Sequence, residues 1–576
     1  MKKLVSRINI SVLLLALLLF VIALVPRILE IGGYLTVDES LWHIRSLNFW
    51  DALLDGNFGG TYQMTHPNVI TMWIVGFTFK VANKISFDVY NGVDWIILGR
   101  FAVGVLTAIG CVVLFYLLNQ VLRVGQSFII CTIIALDPFV LAYTRAVHVH
   151  AVSATFIILS FVALLVAFSK EKQWPWIAFS GVLGGLALLT NVNAILLVGA
   201  AVLTILFQPN DFLALFDRAQ KAFGFKWFPR LKLAGIWLLL LVITFYVGWP
   251  AMWTQPRYTL SRLVTGVMWG VNTPHGGDVT AEEVEALYSN NPAVIAKLEE
   301  YRQYQVFDSP RQFFRGELVY TPGPSFYPLT WLYRTTPLTL IFGLVAFGWL
   351  LVDLFRKRLD DWDGRVIYLL VFALGFMLVM GMAAKQIQRY LLPSFLFLDI
   401  VAGYYLVRAL DWGRNKFKAI KLSPEAFTYT VGGLLVVLFH VLPFVRSFPY
   451  MVAYYEPLFG GTEAAKQIFL LGDGEGLSLA AEYLNDSYRD DISAATRYAE
   501  YFTPFFDGET VYISPIETYD LEQADFLVYY VREEQRQESP ELDAYLSAHT
   551  PEKTILLNGT AHVWIYNLSG VSPLAE

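Results

Sequence analysis

Long apolar runs separated by short polar loops dominate residues 1–447 of the chain. Eleven of these runs reach or approach the length at which an apolar helix crosses a bilayer. They occupy residues 8–29, 95–122, 127–144, 151–169, 175–190, 192–208, 233–252, 337–355, 366–382, 390–409 and 427–446. The pattern predicts an all-α polytopic membrane protein with about eleven transmembrane helices.

A twelfth apolar run, 68–83 ("NVITMWIVGFTFKVAN"), decides the orientation. Loops that face the cytoplasm are enriched in Lys and Arg. Basic clusters occur at 1–7, 123, 170–172, 217–232, 356–358 and 414–421. All of these clusters lie on one side of the membrane only if residues 68–83 do not cross it. We therefore predict a helix lying at the outer interface, a cytoplasmic N-terminus and an extracytoplasmic C-terminus.

This orientation places five segments on the outer face of the membrane. They are residues 30–94, the turn at 143–151, a long loop at 254–335, residues 383–390 and everything after 447. The loop at 254–335 has a helical pattern at 280–305, followed by a Pro-rich return. The side chains with candidate chemistry all lie in these segments.

The last part of the chain has a different pattern and a different charge. Residues 448–576 carry 22 acidic and 6 basic side chains, a net charge of −16, and the full chain carries −6. Alternating strands at 509–515, 525–531, 552–559 and 561–568, with helical patterns at 475–486 and 540–549, predict a small extracytoplasmic α/β domain. The predicted domains are therefore 1–447 and 448–576.

Composition agrees with this division. The chain is 56% hydrophobic with a mean hydropathy of +0.51, which is too apolar for a soluble protein of this length. Its basic residues lie in short loops between the apolar runs, a distribution unlike a nucleic-acid-binding surface. We expect partners that reach the protein through the bilayer or its outer face.

Two adjacent carboxylates, Asp38 and Glu39, directly follow the first apolar run. Acids at a membrane boundary reach water at little cost, so they are open to interpretation as a simple helix exit. The aromatic and polar groups that follow, among them His66, suit the binding of a sugar. One of the two carboxylates could then take a proton from a hydroxyl nucleophile.

A pair of cations ends the outer segment "AAKQIQRYLLP". Lys385 and Arg389 are four residues apart, so on a helix they share a face. Cations at membrane edges often extend to the interface, but Arg and Lys also bind phosphate. We predict a clamp for a lipid phosphate formed by these two residues with Tyr390, and Arg145 as a third cation on the same side.

His148 and His150 are two residues apart in "YTRAVHVHA". In an extended turn they would share a face and could ligate a metal, whereas on a helix they would diverge. The sequence offers no clear third ligand, so we expect substrate contacts from both, no bound metal and no cofactor.

These segments together resemble the GT-C fold glycosyltransferases that use lipid-phosphate sugars, nearest the dolichyl-phosphate-mannose protein mannosyltransferases and the bacterial aminoarabinose transferases. The resemblance is carried by "VDES", "THPNVITMW", "LDPFVLAYTRAVHVHA", "PGPSFYPLTWLYRTTP" and "KQIQRYLLP". It spans most of residues 1–447. By resemblance, Asp38 matches the catalytic acid of the family and Glu39 its neighbour.

The resemblance implies an inverting transfer of a sugar from a polyprenyl-phosphate donor to a hydroxyl of a protein, lipid or glycan, with Asp38 as the base. One alternative is a metal-dependent oligosaccharyl transferase of the same fold, in which His148 and His150 would gain importance. Others are a transporter or flippase for lipid-linked sugars and a non-catalytic scaffold. Transporters usually carry internal repeats and ionisable residues at mid-span, and the acids here are expected to cluster at one face.

Overall fold

A computed structural model describes residues 10–84, 94–216, 227–272, 312–416, 423–489, 491–513, 524–536, 542 and 546–570. In this part of the chain, eight helices are long and apolar enough to span a membrane. They are Ile10–Ile28, Asp94–Leu118, Val149–Ala167, Trp227–Gly248, Pro337–Arg356, Asp361–Met380, Gln388–Lys416 and Thr428–Ser447. The predicted polytopic, mostly helical membrane protein is confirmed.

The predicted number of eleven spans is not confirmed by the helices that the structure describes. Helices Val124–Leu136 and Pro138–Thr144 meet at a bend of 64° and pass the span test only together, so the described residues contain up to nine spans if this bent pair is one of them. The bend falls at a proline, which cannot donate to the preceding turn. Two further predicted spans, 175–190 and 192–208, form the shorter apolar helices Trp174–Thr190 and Val192–Leu206.

The remaining helices of the membrane part are short or lie beside the spans. They are Glu39–Leu54, Val69–Lys84, Pro209–Phe216, Ala251–Thr254, Pro256–Asn272 and Phe326–Arg334. Val69–Lys84 corresponds to the run 68–83, is absent from the spanning candidates and packs against Glu39–Leu54. The predicted helix 280–305 lies outside the described residues.

Two spans form the centre of the helical bundle and others form its edge. Val149–Ala167 and Gln388–Lys416 are almost entirely buried by their neighbours. Ile10–Ile28 and Trp227–Gly248 leave most of their apolar surface uncovered, as expected for helices that face lipid. His150 and Arg389 lie at the N-terminal ends of the two central spans, so the best-packed helices support the candidate site.

Some carboxylates, Asp137 and Asp399 among them, are buried within the helical bundle, contrary to the expectation that the acids cluster at the outer face. Asp399 is fully buried and accepts a hydrogen bond from Thr339 (2.7 Å). Thr339 is one turn from Thr336, whose hydroxyl lies 2.9 Å from Nδ1 of His440. Three spans therefore share a buried polar chain, and such a chain stabilises one particular packing of the helices.

The C-terminal region contains a five-stranded mixed sheet. Its strands are β3 (Ser493–Thr496), β4 (Glu509–Tyr512), β5 (Phe526–Tyr530), β6 (Lys553–Leu557) and β7 (Thr560–Asn567), in the order β4-β3-β5-β7-β6. β3 pairs in parallel with β4 and β5, and β7 pairs antiparallel with β5 and β6. Helices Gly461–Lys466, Leu477–Ser487, Ala499–Phe502 and Val531–Arg536 accompany it.

A small hairpin and a buried arginine attach this region to the membrane part. The hairpin is formed by β1 (Gln312–Phe314) and β2 (Glu317–Val319), and Phe314 makes a β-bridge to Phe469. The guanidinium of Arg334 donates to the backbone oxygens of Val452 (2.6 Å) and Tyr454 (2.7 Å). Its Nε donates to Gln388, directly before Arg389. The tail is thus fastened close to the candidate cation pair.

Candidate active site

Asp38 stands immediately before the helix Glu39–Leu54 in a left-handed conformation, with φ of 70°. A non-glycine residue rarely adopts this conformation, and where it does a function is often found. The carboxylate does not cap the helix. Instead it accepts a hydrogen bond from Nη2 of Arg389 at 2.6 Å. The sequence-predicted acid and one of the predicted cations therefore meet, although 351 positions separate them.

The two partners differ in their exposure. The Asp38 side chain is 44% exposed, whereas that of Arg389 is 7% exposed. Partial removal from water raises the pKa of Asp38, but the positive charge of Arg389 lowers it by more. The pKa therefore lies below its ordinary value. Asp38 is therefore ionised at neutral pH and open to a ligand on one side.

Glu39, the other predicted catalytic acid, is fully buried and its carboxylate is fully used. Both oxygens bind the guanidinium of Arg100, at 2.7 and 2.6 Å. They also accept hydrogen bonds from the backbone N–H of Val147 and from the N–H and hydroxyl of Thr36. Burial raises the pKa of Glu39, and the ion pair with Arg100 lowers it to well below its usual range. Glu39 fastens the loop that carries Asp38.

The charges of two more cations act on the Asp38 carboxylate. Lys385, predicted as part of the phosphate clamp, and Arg45, which sequence analysis did not select, both contribute to the lowered pKa of Asp38. Among the described residues Lys385 has neither a hydrogen bond nor an ion pair, and Arg45 lies over the ring of Trp42. The neighbourhood of Asp38 thus has more positive charge than the acid neutralises.

The three predicted substrate-contact histidines lie around this centre. Burial and the charge of Lys385 lower the pKa of His66 to about 4. Burial and Arg389 lower the pKa of His148 to about 4 as well. His150 binds the side chain of Asn191 (2.9 Å) and packs against Tyr390, with ring centroids 4.6 Å apart. The first two imidazoles are neutral hydrogen-bonding groups at neutral pH.

Arg145, the third predicted phosphate ligand, is used elsewhere. Its Nη2 donates to the backbone oxygens of Leu29 (2.6 Å) and Glu30 (2.7 Å) at the end of the first span. Its guanidinium also lies over the ring of Phe448. In the described structure Arg145 therefore joins the first span to the tail, and it makes no hydrogen bond or ion pair with Asp38.

The C-terminal region supplies a carboxylate that sequence analysis missed. Asp473 lies 3.9 Å from Nη1 of Arg389, and its other oxygen accepts from Arg532 at 3.1 Å. The segment "GDGEG" around it could have suggested a special loop, because three glycines alternate with two acids. All three glycines have positive φ.

A metal has no evident ligand set here. Among the described residues, no three side chains of His, Cys, Asp or Glu lie close enough together to hold an ion. The imidazole of His148 packs on Tyr143, while His150 binds Asn191. The two histidines do not form the predicted alternative of a shared metal-binding face.

Comparison with known families agrees with the predicted resemblance. The family model described as dolichyl-phosphate-mannose-protein mannosyltransferase matches residues 66–221. This range begins at His66 and includes Arg100, His148 and His150. No curated protein matches the chain by sequence.

Solved structures with a similar course of the chain include an oligosaccharyltransferase and a protein bound to undecaprenyl phosphate. One is the archaeal oligosaccharyltransferase AglB from Archaeoglobus fulgidus in complex with an inhibitory peptide and a dolichol-phosphate. The two chains are 12% identical, the match covers 91% of this chain and 70% of that chain, and the TM-score is 0.44. The other is ArnT from Cupriavidus metallidurans bound to undecaprenyl phosphate, with 12% identity, 96% and 98% covered, and a TM-score of 0.42. The family-model match supports a membrane-bound glycosyltransferase.

Proposed function

We propose that this chain, which resembles the dolichyl-phosphate-mannose protein mannosyltransferases, transfers a sugar from a polyprenyl-phosphate donor to an acceptor hydroxyl at the extracytoplasmic face. The observation that carries the proposal is the 2.6 Å ion pair between half-exposed Asp38 and Arg389. The charge of Lys385 also acts on Asp38. A base next to cations is what a transfer that releases a phosphate requires.

In the proposed reaction Asp38 takes the proton of the acceptor hydroxyl. The oxygen attacks the anomeric carbon from the face opposite the phosphate, and the bond between that carbon and the phosphate oxygen breaks. The configuration inverts, and the leaving polyprenyl phosphate gains one negative charge. Arg389 and Lys385 stabilise that charge, so no metal ion is required for the step.

The ion pair itself suggests how the base is activated. While Arg389 binds Asp38, the lowered pKa of Asp38 makes the carboxylate a weak base. The phosphate of an incoming donor competes for the same guanidinium. As Arg389 turns to the phosphate, the pKa of Asp38 rises towards its ordinary value. Donor binding thereby prepares the base for the acceptor.

The neutral state of His66 and His148 supports hydrogen bonding to uncharged hydroxyl groups of the sugar or the acceptor. The acceptor class stays open between a protein, a lipid and a glycan. A metal-dependent oligosaccharyl transferase is less well supported, because the described residues do not offer a group of three metal ligands.

The test is transfer from radiolabelled polyprenyl-phosphate sugars by purified protein with the Asp38→Asn change. Loss of the general base should lower kcat by about 10²–10⁴-fold. Binding of the donor should not weaken, since Arg389 becomes free for the phosphate. Asp55→Asn is the matched control, an exposed acid directly after the same helix, and should leave turnover unchanged. Equal turnover in wild type and Asp38→Asn would refute Asp38 as the base.

A further inference from the structure

The loop Gly472–Gly476 brings the C-terminal region into contact with the residues before Asp38. The backbone N–H of Val37 donates to the carbonyl oxygen of Asp473 at 3.1 Å. A Cβ atom on Gly474 would lie 2.0 Å from the carbonyl oxygen of Leu35. Only a glycine allows this approach, so the backbone of this loop is fitted closely against the exit of the first span.

The side chain of Asp473 is held from several directions. Tyr143 donates to Oδ2 at 3.0 Å and Arg532 donates to Oδ1 at 3.1 Å. Burial raises the pKa of Asp473, but Arg532 and Arg389 lower it to below the ordinary value, so the group is charged. A charged carboxylate with two fixed partners cannot easily follow Arg389 if the arginine moves.

The guanidinium of Arg389 therefore lies between two carboxylates that belong to different parts of the chain. Nη2 binds Asp38 at 2.6 Å, while Nη1 lies 3.9 Å from Asp473. The shorter contact is to the residue with the more exposed side chain, at 44% against 17%. A ligand that enters from the exposed side would replace Asp38 as a partner of Arg389 and leave Asp473 in place.

We propose that Asp473 is a positioning residue of the transfer site, a carboxylate supplied by the C-terminal region that keeps Arg389 within reach of both Asp38 and the leaving phosphate. This inference rests on the proposed function. It gives the C-terminal region a direct part in the reaction, because the site is incomplete without its Gly472–Gly476 loop. Without Asp473, Arg389 would pair with Asp38 alone.

The charge of Asp473 should affect the pH profile of kcat/KM, because the acid limb of this profile reports the pKa of the base in the free enzyme. In Asp473→Asn the competing negative charge is gone, so Arg389 stabilises the Asp38 carboxylate more strongly. The pKa of Asp38 falls, and the acid limb moves to lower pH while kcat decreases. Asp473→Glu keeps the charge and should restore the position of the limb. A purely structural role would lower activity without moving it.

A second readout does not depend on turnover. Binding of polyprenyl phosphate is measured for wild type, Asp38→Asn, Asp473→Asn and the double variant. In the wild-type background Asp473→Asn should weaken binding about tenfold, because the phosphate must break a stronger Asp38–Arg389 pair. In the Asp38→Asn background that pair is absent, and the same change should have little effect. Independent, additive effects would overturn the proposal.

Controls separate this result from unfolding and from failure of the proposed function. Asp525→Asn removes a carboxylate from the same region, where it accepts from Ser493 and Ser569, and should change neither the pH limb nor phosphate binding. Thermal unfolding of each variant shows whether the C-terminal region stays folded. Turnover of Asp38→Asn alone decides whether Asp38 is the base. The binding cycle and the pH profile decide whether Asp473 acts through Arg389, and either an unchanged limb or additive binding refutes that role.

Discussion

Asp38 and Glu39 are neighbours in the chain, but their carboxylates lie in opposite surroundings. The left-handed backbone at Asp38 turns its side chain towards a partly open space, and Glu39 at the first helical position points into the protein. A buried ion pair gains from its mutual attraction only if further hydrogen bonds satisfy both groups. Glu39 meets this condition with Arg100, Thr36 and Val147, so its charge supports the fold and leaves the chemistry to Asp38.

Glu39→Gln should therefore act on stability. The amide leaves the buried Arg100 without a countercharge, which we expect to cost about 3–5 kcal/mol. Thermal or denaturant-induced unfolding of the detergent-solubilised protein measures the change. Asp51→Asn breaks an ion pair with Lys80 in which the Asp51 side chain is 56% exposed, and should cost less than about 1 kcal/mol. Similar losses in the two variants would contradict the assigned role of Glu39.

At the scale of elements, the contact between the Gly472–Gly476 loop and the exit of the first span is the least tolerant of substitution. Gly474 has φ of +105° and no room for a Cβ atom beside Leu35. Gly559, in the turn between β6 and β7, also has positive φ, at +82°, but its surroundings are open. The two glycines separate the cost of the backbone conformation from the cost of the clash.

Gly474→Ala should displace the loop and with it Asp473. Positive φ alone costs an alanine about 1–2 kcal/mol, and this is the whole expected effect of Gly559→Ala. Gly474→Ala should lose more stability than that and should also reduce transfer, because the Val37–Asp473 contact is broken. Thermal unfolding and turnover of both variants provide the comparison. If Gly474→Ala and Gly559→Ala change thermal stability and turnover equally, the close approach of the loop is not needed for function.

The elements that the sequence predicts well are those with a local signal. Apolar runs of near-spanning length mark the bundle, and alternation marks β4, β5, β6 and β7, whereas β3 ("SAAT") has a single β-branched residue, Thr496, and no aromatic residue to reveal a strand. The predicted count of eleven spans is not confirmed at the bend at Pro138 and at the two shorter helices Trp174–Thr190 and Val192–Leu206.

Contacts between distant parts of the chain are beyond such signals. The predicted topology places Asp38, Lys385 and Arg389 on one face of the membrane. The sequence does not show which acid of the Asp38–Glu39 pair forms the ion pair with Arg100. It also gives Arg145 the chemistry of a phosphate ligand, although the backbone oxygens of Leu29 and Glu30 take its donors. The sequence does not predict the role of Asp473, because that role depends on how the C-terminal region packs against the membrane part.

For the whole molecule, the proposed reaction requires that the C-terminal region and Asp38 share the extracytoplasmic side. Asp473 contacts Arg389, and the turn at Lys357 lies at the far ends of the two spans Pro337–Arg356 and Asp361–Met380. The basic cluster 356–358 surrounds that turn, as expected for a cytoplasmic loop. The site and this cluster should therefore be found on opposite sides of the membrane.

Cysteine labelling in intact cells tests this orientation. Both native cysteines, Cys111 and Cys131, are buried, so they should give little background. Ala548→Cys, exposed in the C-terminal region, should react with a membrane-impermeant maleimide in intact cells. Lys357→Cys, exposed in the turn between the two spans, should react only after permeabilisation. The reverse pattern would place the C-terminal region at the cytoplasmic face, together with Arg389 and Asp38, which lie against it. It would refute transfer on the outer side.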